Sequence, residues 1–223
     1  MKEFNDLIMA AKDFESRDAF LFDMDGLLFD TEQIFMEQLA IVMKERGYTL
    51  TREIYCKTLG MTGKALMQLM CDIYGEDYPF HETGHESRRR VSIIAETVGL
   101  RVKPQIRELL IWLQNQGKKC AVVSSTQSEY VKKYLDLAGL SEYFEQIVGG
   151  EMVEKSKPEP DIFLLGCERL GVMPKEAVVL EDSENGIRGA YRAGIATICI
   201  PDLKEPDVSV HAMIHALVRT AQK

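Results

Sequence analysis

Short apolar segments recur along the chain and alternate with stretches of helical periodicity. Four runs are compact and apolar, and a fifth is weaker: 19–23, 120–124, 177–181, 197–200 and the weaker 146–149. Runs of this length, bounded by polar or glycine residues, are typical of strands buried on both faces of a parallel sheet. The pattern therefore predicts five buried strands.

Helical patterns separate the later apolar runs. Four of them each end directly before a glycine, a common stop signal: 104–116, 128–138, 160–170 and 184–193. The alternation from residue 104 onward implies an α/β fold with a doubly wound (Rossmann-like) parallel sheet and right-handed crossovers. A separate amphipathic pattern near the start of the chain predicts a helix at 4–16.

Residues 32–103 interrupt this alternation. They show helical patterns at 34–46, 64–74 and about 82–98, with no convincing strand among them. We therefore expect an all-helical cap domain at 32–103, inserted after the first strand. The α/β core would then consist of 19–31 and 104–223, preceded by an N-terminal helical extension at 1–18.

Composition narrows the classes of function. The 223 residues are 46% apolar and 28% charged, an ordinary globular mixture, and the net charge of −8 argues against a nucleic-acid partner. We find neither a signal-peptide pattern nor an apolar run long enough to cross a membrane. Five scattered cysteines without a C-x-x-C spacing are typical of reduced thiols. We expect a cytoplasmic monomer or weak homodimer that binds neither nucleic acid nor membrane.

Polar side chains occur at the carboxyl ends of the predicted strands, where open parallel sheets bind ligands. They are Asp23 and Asp25 after the first strand, Ser124 and Ser125 after the second, Lys157 after the third, and Glu181 with Asp182 after the fourth. Crowded carboxylates repel one another unless a cation joins them, and a set of oxygen ligands alone favours Mg²⁺. A carboxylate beside such an ion could attack a phosphate ester, with lysine and hydroxyl groups balancing the phosphoryl charge.

Four segments, in this order, resemble the motifs of the haloacid dehalogenase-like (HAD) hydrolase superfamily. They are Asp23-Met-Asp25-Gly-Leu-Leu-Phe-Asp30, Ser124, Ser156-Lys157-Pro-Glu-Pro-Asp-Ile-Phe163 and Leu180-Glu181-Asp182-Ser183. The similarity extends from residue 19 to about residue 200. The Glu-Asp form of the fourth motif and the position of the cap resemble the branch that holds β-phosphoglucomutase and small sugar-phosphate phosphatases.

The resemblance implies a role for each acidic residue of the core. Asp23 would be the nucleophile and would also give one carboxylate oxygen to Mg²⁺. Asp25 would bind the ion through its backbone carbonyl, while its side chain acts as general acid and then as general base. Asp182 would be a further ligand, and Glu181 would bind the ion directly or through water.

The resemblance also implies how a phosphate group is held. Ser124, Ser125 and Lys157 would contact the phosphoryl oxygens, and Ser124 and Lys157 would take part in catalysis. The implied function is a Mg²⁺-dependent phosphatase that hydrolyses a small phosphorylated metabolite, such as a sugar phosphate, through an aspartyl phosphate on Asp23. Its partner would be a small-molecule phosphate ester.

The cap motifs bear on the nearest alternative, a hexose-phosphate mutase. β-Phosphoglucomutases have a histidine on the first cap helix, where this chain has Phe35, and their cap arginine aligns with Gly63. Both differences favour the phosphatase. Phe35, Lys64 and Arg88 are the candidate substrate-selecting residues of the cap, and the run 88–90 could direct one arginine toward a second anionic group on the substrate.

Three further functions fit the residues less well. A 2-haloacid dehalogenase would leave Asp25, Glu181 and Asp182 without a purpose, because its chemistry needs neither a metal nor a general acid. A signalling receiver domain would lack the large insertion after the first strand. An inactive binding module would not need the complete set of site residues.

Overall fold

The computed structural model of the chain describes residues 10–59, 61 and 63–203. Within this part, five parallel strands form one sheet in the order β3–β2–β1–β4–β5. They are β1 (Ala19–Phe22), β2 (Lys119–Val123), β3 (Gln146–Val148), β4 (Ala177–Glu181) and β5 (Ala196–Cys199). Each strand lies within one residue of its predicted run at both ends, which confirms the predicted doubly wound parallel sheet.

Apart from the helical residues 10–12, the described part of the chain contains eight α-helices. They are α1 (Thr31–Glu45), α2 (Arg52–Thr58), α3 (Gly63–Tyr74), α4 (Phe80–Thr97), α5 (Ile106–Asn115), α6 (Ser128–Ala138), α7 (Asp161–Leu170) and α8 (Glu184–Arg192). The predicted glycine stops are visible at α6 and α7, where Gly139 and Gly171 adopt φ values of +62° and +67°. Helices α5 to α8 therefore end where the sequence pattern places their ends, to within a residue.

The central position of β1 determines where the site lies. Phe20 pairs with Cys120 of β2 on one side and with Val178 of β4 on the other, and all four residues of β1 are buried. Because the strands are parallel, the carboxyl ends of β2 and β4 flank the carboxyl end of β1. Residues that follow these three strands are thereby brought to one edge of the sheet.

The described chain divides into two compact units. One consists of the described residues up to Asp30 together with those from Leu100 onward, and the other is Thr31–Gly99. The segments that join them are bonded to each other within the first unit: Asp30 N–H donates to the Arg101 carbonyl over 3.0 Å, and Lys103 N–H donates to the Leu28 carbonyl over 2.9 Å. The role of Thr31–Gly99 as a cap stays a prediction.

The described residues of Thr31–Gly99 contain helices α1 to α4 and no strand. Arg90 of α4 forms ion pairs with Glu86 of the same helix and with Glu45 of α1, each over 2.8 Å. Helix α2 was not predicted, because seven residues are too short for a clear periodicity. Its start nevertheless carries a readable signal, since the Thr51 hydroxyl accepts a hydrogen bond from Ile54 N–H as an N-cap.

Two predicted segments extend beyond the described residues. The helix at 4–16 is described only from residue 10, and residues 10–12 are helical. The predicted core continues to residue 223, and its last 20 residues, 204–223, lie outside the described part. No helix in the described part combines the length and apolarity that crossing a membrane requires.

Candidate active site

Three carboxylates meet at the carboxyl ends of β1 and β4. Asp23 follows β1, and its N–H donates to the Leu180 carbonyl of β4, so the end of one strand is aligned with the end of the other. Carboxylate oxygens of Asp23, Glu181 and Asp182 lie within 4.8 Å of one another. Asp23 comes from the first motif, and Glu181 and Asp182 come from the fourth; the structure brings their side chains into one cluster.

Lys157 is the cation of this cluster. Its ammonium donates to Asp23 Oδ1 over 2.5 Å, to Glu181 Oε1 over 2.7 Å and to the Val123 carbonyl over 3.1 Å. The side chains of Lys157, Asp23 and Glu181 are 7%, 9% and 0% exposed. One buried ammonium therefore faces several carboxylates, and the cluster carries an excess of negative charge.

This excess changes the pKa values of the cluster. Burial raises the pKa of Asp23 to about 8, because the attraction of Lys157 only partly offsets burial and the nearby charges of Glu181 and Asp25. Burial, together with the charges of Asp23 and Glu181, raises the pKa of Asp182 to about 9. Burial alone would lower the pKa of Lys157, but Asp23 and Glu181 outweigh it and raise that pKa above its ordinary value.

The cluster fits a bound Mg²⁺ ion. Asp182 Oδ1 is buried and has no hydrogen-bond partner among the described residues, which costs free energy for a carboxylate oxygen unless a cation contacts it. Asp23 and Asp182 supply only hard oxygen donors, the type that Mg²⁺ prefers. A divalent ion would also offset the burial and the repulsion that together raise the pKa of Asp23 and of Asp182.

Glu181 differs from the other two carboxylates because both of its oxygens are already bonded. Oε1 accepts from Lys157, and Oε2 accepts from the N–H groups of Asp182 and Ser183 and from the Ser183 hydroxyl, over 2.9 to 3.0 Å. Gly186 provides the space, since a Cβ at that position would overlap the Glu181 carboxylate. Through these hydrogen bonds, Glu181 can orient the Lys157 ammonium and the backbone of Asp182.

Asp25 is held by a residue outside the predicted set. The Thr126 hydroxyl donates to Asp25 Oδ2 over 2.9 Å, from the loop that follows β2. A hydrogen bond of this kind fixes the direction of the carboxyl group, as the predicted proton-transfer role of Asp25 would require. In the sequence, the only sign of this contact is that Thr126 ends a run of three hydroxyl residues, 124–126, directly after β2.

Ser124 and Ser125 lie at the carboxyl end of β2. Ser124 is buried, its N–H donates to the Val148 carbonyl over 3.0 Å, and its hydroxyl oxygen accepts from Thr126 N–H over 3.0 Å. Ser125 is exposed. Because the Ser124 N–H is bonded within the sheet, Ser125 N–H is the backbone donor of this pair that suits an incoming phosphate.

The predicted cap residues separate into two groups. Phe35 and Arg88 line a cavity of about 220 Å³ within Thr31–Gly99, whose walls also include Tyr55, Tyr78 and Phe80. Lys64 is exposed and is not one of the described residues that line this cavity. The guanidinium of Arg88 has no acidic partner among the described residues, whereas the neighbouring Arg89 is paired with Glu86.

Known proteins resemble this chain along most of its length. Residues 20–200 match the haloacid dehalogenase-like hydrolase family. The chain is 33% identical to a phosphorylated carbohydrates phosphatase of Thermotoga maritima, over 81% of this chain and 83% of that protein. It is 34% identical to a phosphoglycolate phosphatase of Aquifex aeolicus, over 79% and 81%. A solved Thermotoga maritima structure assigned as a β-phosphoglucomutase has a TM-score of 0.70 at 28% identity, over 92% of this chain and 98% of that one.

Proposed function

Because the chain is a phosphoric monoester hydrolase of the haloacid dehalogenase-like family, we propose that it is a Mg²⁺-dependent phosphatase acting through an aspartyl phosphate on Asp23. The substrate we propose is a small phosphorylated metabolite, specifically a sugar phosphate. The observation that carries the proposal is the buried cluster in which Lys157 contacts Asp23 while Asp182 lies beside it.

In the proposed reaction, an oxygen of Asp23 attacks the phosphorus and displaces the alcohol. Lys157 holds the Asp23 carboxylate in place and supplies positive charge next to the phosphoryl oxygens. Asp23, Asp182 and the Asp25 backbone carbonyl would hold Mg²⁺, which supplies further positive charge for the phosphoryl group. The Ser124 hydroxyl and Ser125 N–H would donate to the remaining phosphoryl oxygens.

Asp25 transfers the proton in both halves of the proposed reaction. Its carboxyl group protonates the departing alkoxide, and the resulting carboxylate then accepts a proton from the water that hydrolyses the aspartyl phosphate. Thr126 orients this group through its hydrogen bond to Oδ2. Asp23 is regenerated, inorganic phosphate is released, and each proton lost by Asp25 is replaced in the same turnover.

An assay with β-glucose 1-phosphate separates this phosphatase from a mutase of the same family. We expect release of inorganic phosphate without glucose 6-phosphate, because this chain has Phe35 and Gly63 where the mutases have a histidine and an arginine. The test is an enzyme-coupled assay of both products, with and without a chelator. Hydrolysis that persists unchanged in excess chelator would contradict the metal role, and accumulation of glucose 6-phosphate would favour the mutase.

We further propose that Thr31–Gly99 is the cap that selects the substrate. Aromatic side chains line its cavity, and Phe35 and Arg88 lie in the wall. An arginine without an acidic partner is suited to binding an anion. Arg88 would therefore bind a second anionic group on the substrate, such as a carboxylate or another phosphate.

Replacing Arg88 with methionine tests this assignment. We expect KM to rise about tenfold for phosphoglycolate or sugar bisphosphates, with little change for sugar monophosphates, because only the former carry a second anion. Arg89→Met is the matched control, since Arg89 is paired with Glu86 and is expected to leave both KM values unchanged. Equal effects of the two variants would show that Arg88 has no specific role.

A further inference from the structure

A buried ion pair that the proposed reaction does not use lies beside Gly26. Lys103 Nζ donates to Asp202 Oδ1 over 2.5 Å and to the Gly26 carbonyl over 2.8 Å. The two side chains are 16% and 10% exposed. Lys103 lies just before α5, and Asp202 follows β5. Two segments that are far apart in the sequence therefore meet at the turn after Asp25.

The same turn contacts the proposed metal ligand Asp182. Gly26 has a φ of +76°, and a Cβ there would overlap the Asp182 carboxylate and lie 3.3 Å from Asp202 Oδ2. The carboxylates of Asp182 and Asp202 are therefore both packed against the α-carbon of Gly26. One oxygen of each, Asp182 Oδ1 and Asp202 Oδ2, is buried and has no hydrogen-bond partner within the described part of the chain.

Both peptide groups around Gly26 are fixed by hydrogen bonds. The Gly26 N–H donates to the Phe29 carbonyl over 3.0 Å. In a trans peptide the C=O points away from the N–H, so this bond also sets the direction of the Asp25 carbonyl. Lys103 holds the next carbonyl, that of Gly26 itself, which leaves the turn little freedom to rotate.

We propose that Lys103 and Asp202 are positioning residues for the metal site. Lys103 holds the turn at Gly26 so that the Asp25 carbonyl and the Asp182 carboxylate face the ion together, and Asp202 holds Lys103. Among the described residues the buried Oδ2 of Asp202 has no hydrogen-bond partner, so it would be available to accept a hydrogen bond from a water on the ion, since protein-bound Mg²⁺ usually keeps several waters. This inference rests on the proposed function, because it takes these ligands as given.

Two variants distinguish positioning from simple charge effects: Lys103→Met and the double variant Lys103→Met with Asp202→Asn. Lys103→Met removes a positive charge near a cation site, so electrostatics alone would tighten Mg²⁺ binding. Positioning requires the opposite, a Mg²⁺ affinity about tenfold weaker. The double variant leaves the net charge unchanged, and we expect it to bind Mg²⁺ about tenfold more weakly as well. Isothermal titration calorimetry with MgCl₂ on the full chain measures these affinities without any substrate.

Lys119→Met is the matched control. Lys119 Nζ donates to the Leu170 carbonyl over 2.7 Å, and it lies at the start of β2, the end of that strand away from the site. The control loses a lysine-to-carbonyl hydrogen bond of the same kind but leaves no carboxylate unpaired, so its loss of stability in thermal unfolding should be matched most closely by the double variant. Its Mg²⁺ affinity should equal that of the wild type.

The outcomes separate this inference from the proposed function. Weaker Mg²⁺ binding in Lys103→Met and in the double variant, with the control unchanged, supports the inference. Wild-type binding with unchanged or tighter binding in those variants overturns it and leaves the phosphatase proposal intact. A wild-type chain that binds no Mg²⁺ overturns the proposed metal role itself. Should Lys103→Met fail to fold, the double variant decides, because it leaves no buried charge unpaired.

Discussion

Asp23→Asn is expected to reduce the turnover of every phosphate monoester by at least about 10⁴-fold, because an amide cannot form the proposed aspartyl phosphate. The fold should survive. Lys157 keeps Glu181 as an ion-pair partner at 2.7 Å, and the variant removes one of the carboxylates whose crowding raises the pKa of Asp182. We therefore expect a melting temperature equal to or above that of the wild type without metal.

Hydrolysis of p-nitrophenyl phosphate and thermal unfolding in the presence of chelator measure the two effects. Asp30→Asn is the control: Asp30 belongs to the same motif, but its side chain is 3.8 Å from Arg101 and makes only a weak ion pair. Its turnover should be close to that of the wild type. If Asp23→Asn kept more than about one-hundredth of the wild-type rate, Asp23 would not be the nucleophile.

Lys157→Met is expected to be the most destabilising substitution at the site. It leaves the buried carboxylates of Asp23 and Glu181 without their shared cation, a change that typically costs about 3–5 kcal/mol. Activity should be lost as well, since Lys157 holds the nucleophile in the proposed reaction. Urea denaturation without metal measures the free energy of unfolding, and added Mg²⁺ should restore part of it by neutralising the same carboxylates.

The destabilisation should depend on pH in a defined direction. Burial raises the pKa of Asp23 to about 8 in the folded wild type, against an ordinary value of 3.8, and removing Lys157 removes an influence that lowers it. A raised folded-state pKa contributes stability that is present below the ordinary value and is lost as the pH rises through the folded value. The deficit of Lys157→Met should therefore change little between pH 4 and pH 7, where Asp23 is protonated in both folded chains, and grow as the pH rises through about 8, where only the wild-type carboxyl ionises.

Lys132→Met provides the control for this series. Lys132 and Asp136 form an exposed pair on α6, with side chains 66% and 47% exposed, so its loss should change the free energy of unfolding by less than about 0.5 kcal/mol. A Lys157 variant as stable as this control at pH 8 would mean that Asp23 and Glu181 do not depend on the ammonium. Destabilisation that is equal at pH 6 and pH 9 would point to lost packing against Phe163 instead.

The sequence was informative where a strand fixes the position of a side chain. Asp23 and Asp182 could be placed together in advance, because the carboxyl ends of parallel strands share an edge and each residue follows its strand by one position. Thr126, Lys103 and Asp202 could not be placed. Their hydrogen bonds depend on the conformations of the loops after β2, after β5 and before α5. The pattern of apolar and polar residues does not predict these loop conformations.

The same distinction applies to the helices. Helices α5 to α8 carry apolar faces and glycine stops that identify them within a residue or two. Helix α2 is only seven residues long and buries a single side chain, Tyr55, so it has no repeating face to detect. Predicted cap residues such as Arg88 are even harder to identify from the sequence. Only the structure shows that Arg88 lines a cavity while its neighbours are paired with glutamates.

The two chain segments at the ends of Thr31–Gly99 bear on how such a protein can diversify. Asp30 is bonded to Arg101, and Leu28 to Lys103, so the insertion begins and ends at neighbouring points of the α/β unit. A segment whose ends are already held together can be lengthened, shortened or exchanged at small entropic cost to the unit that carries it. If the insertion selects the substrate as proposed, selection could change substrate choice by exchanging the insertion, while the strands that carry the site residues stay as they are.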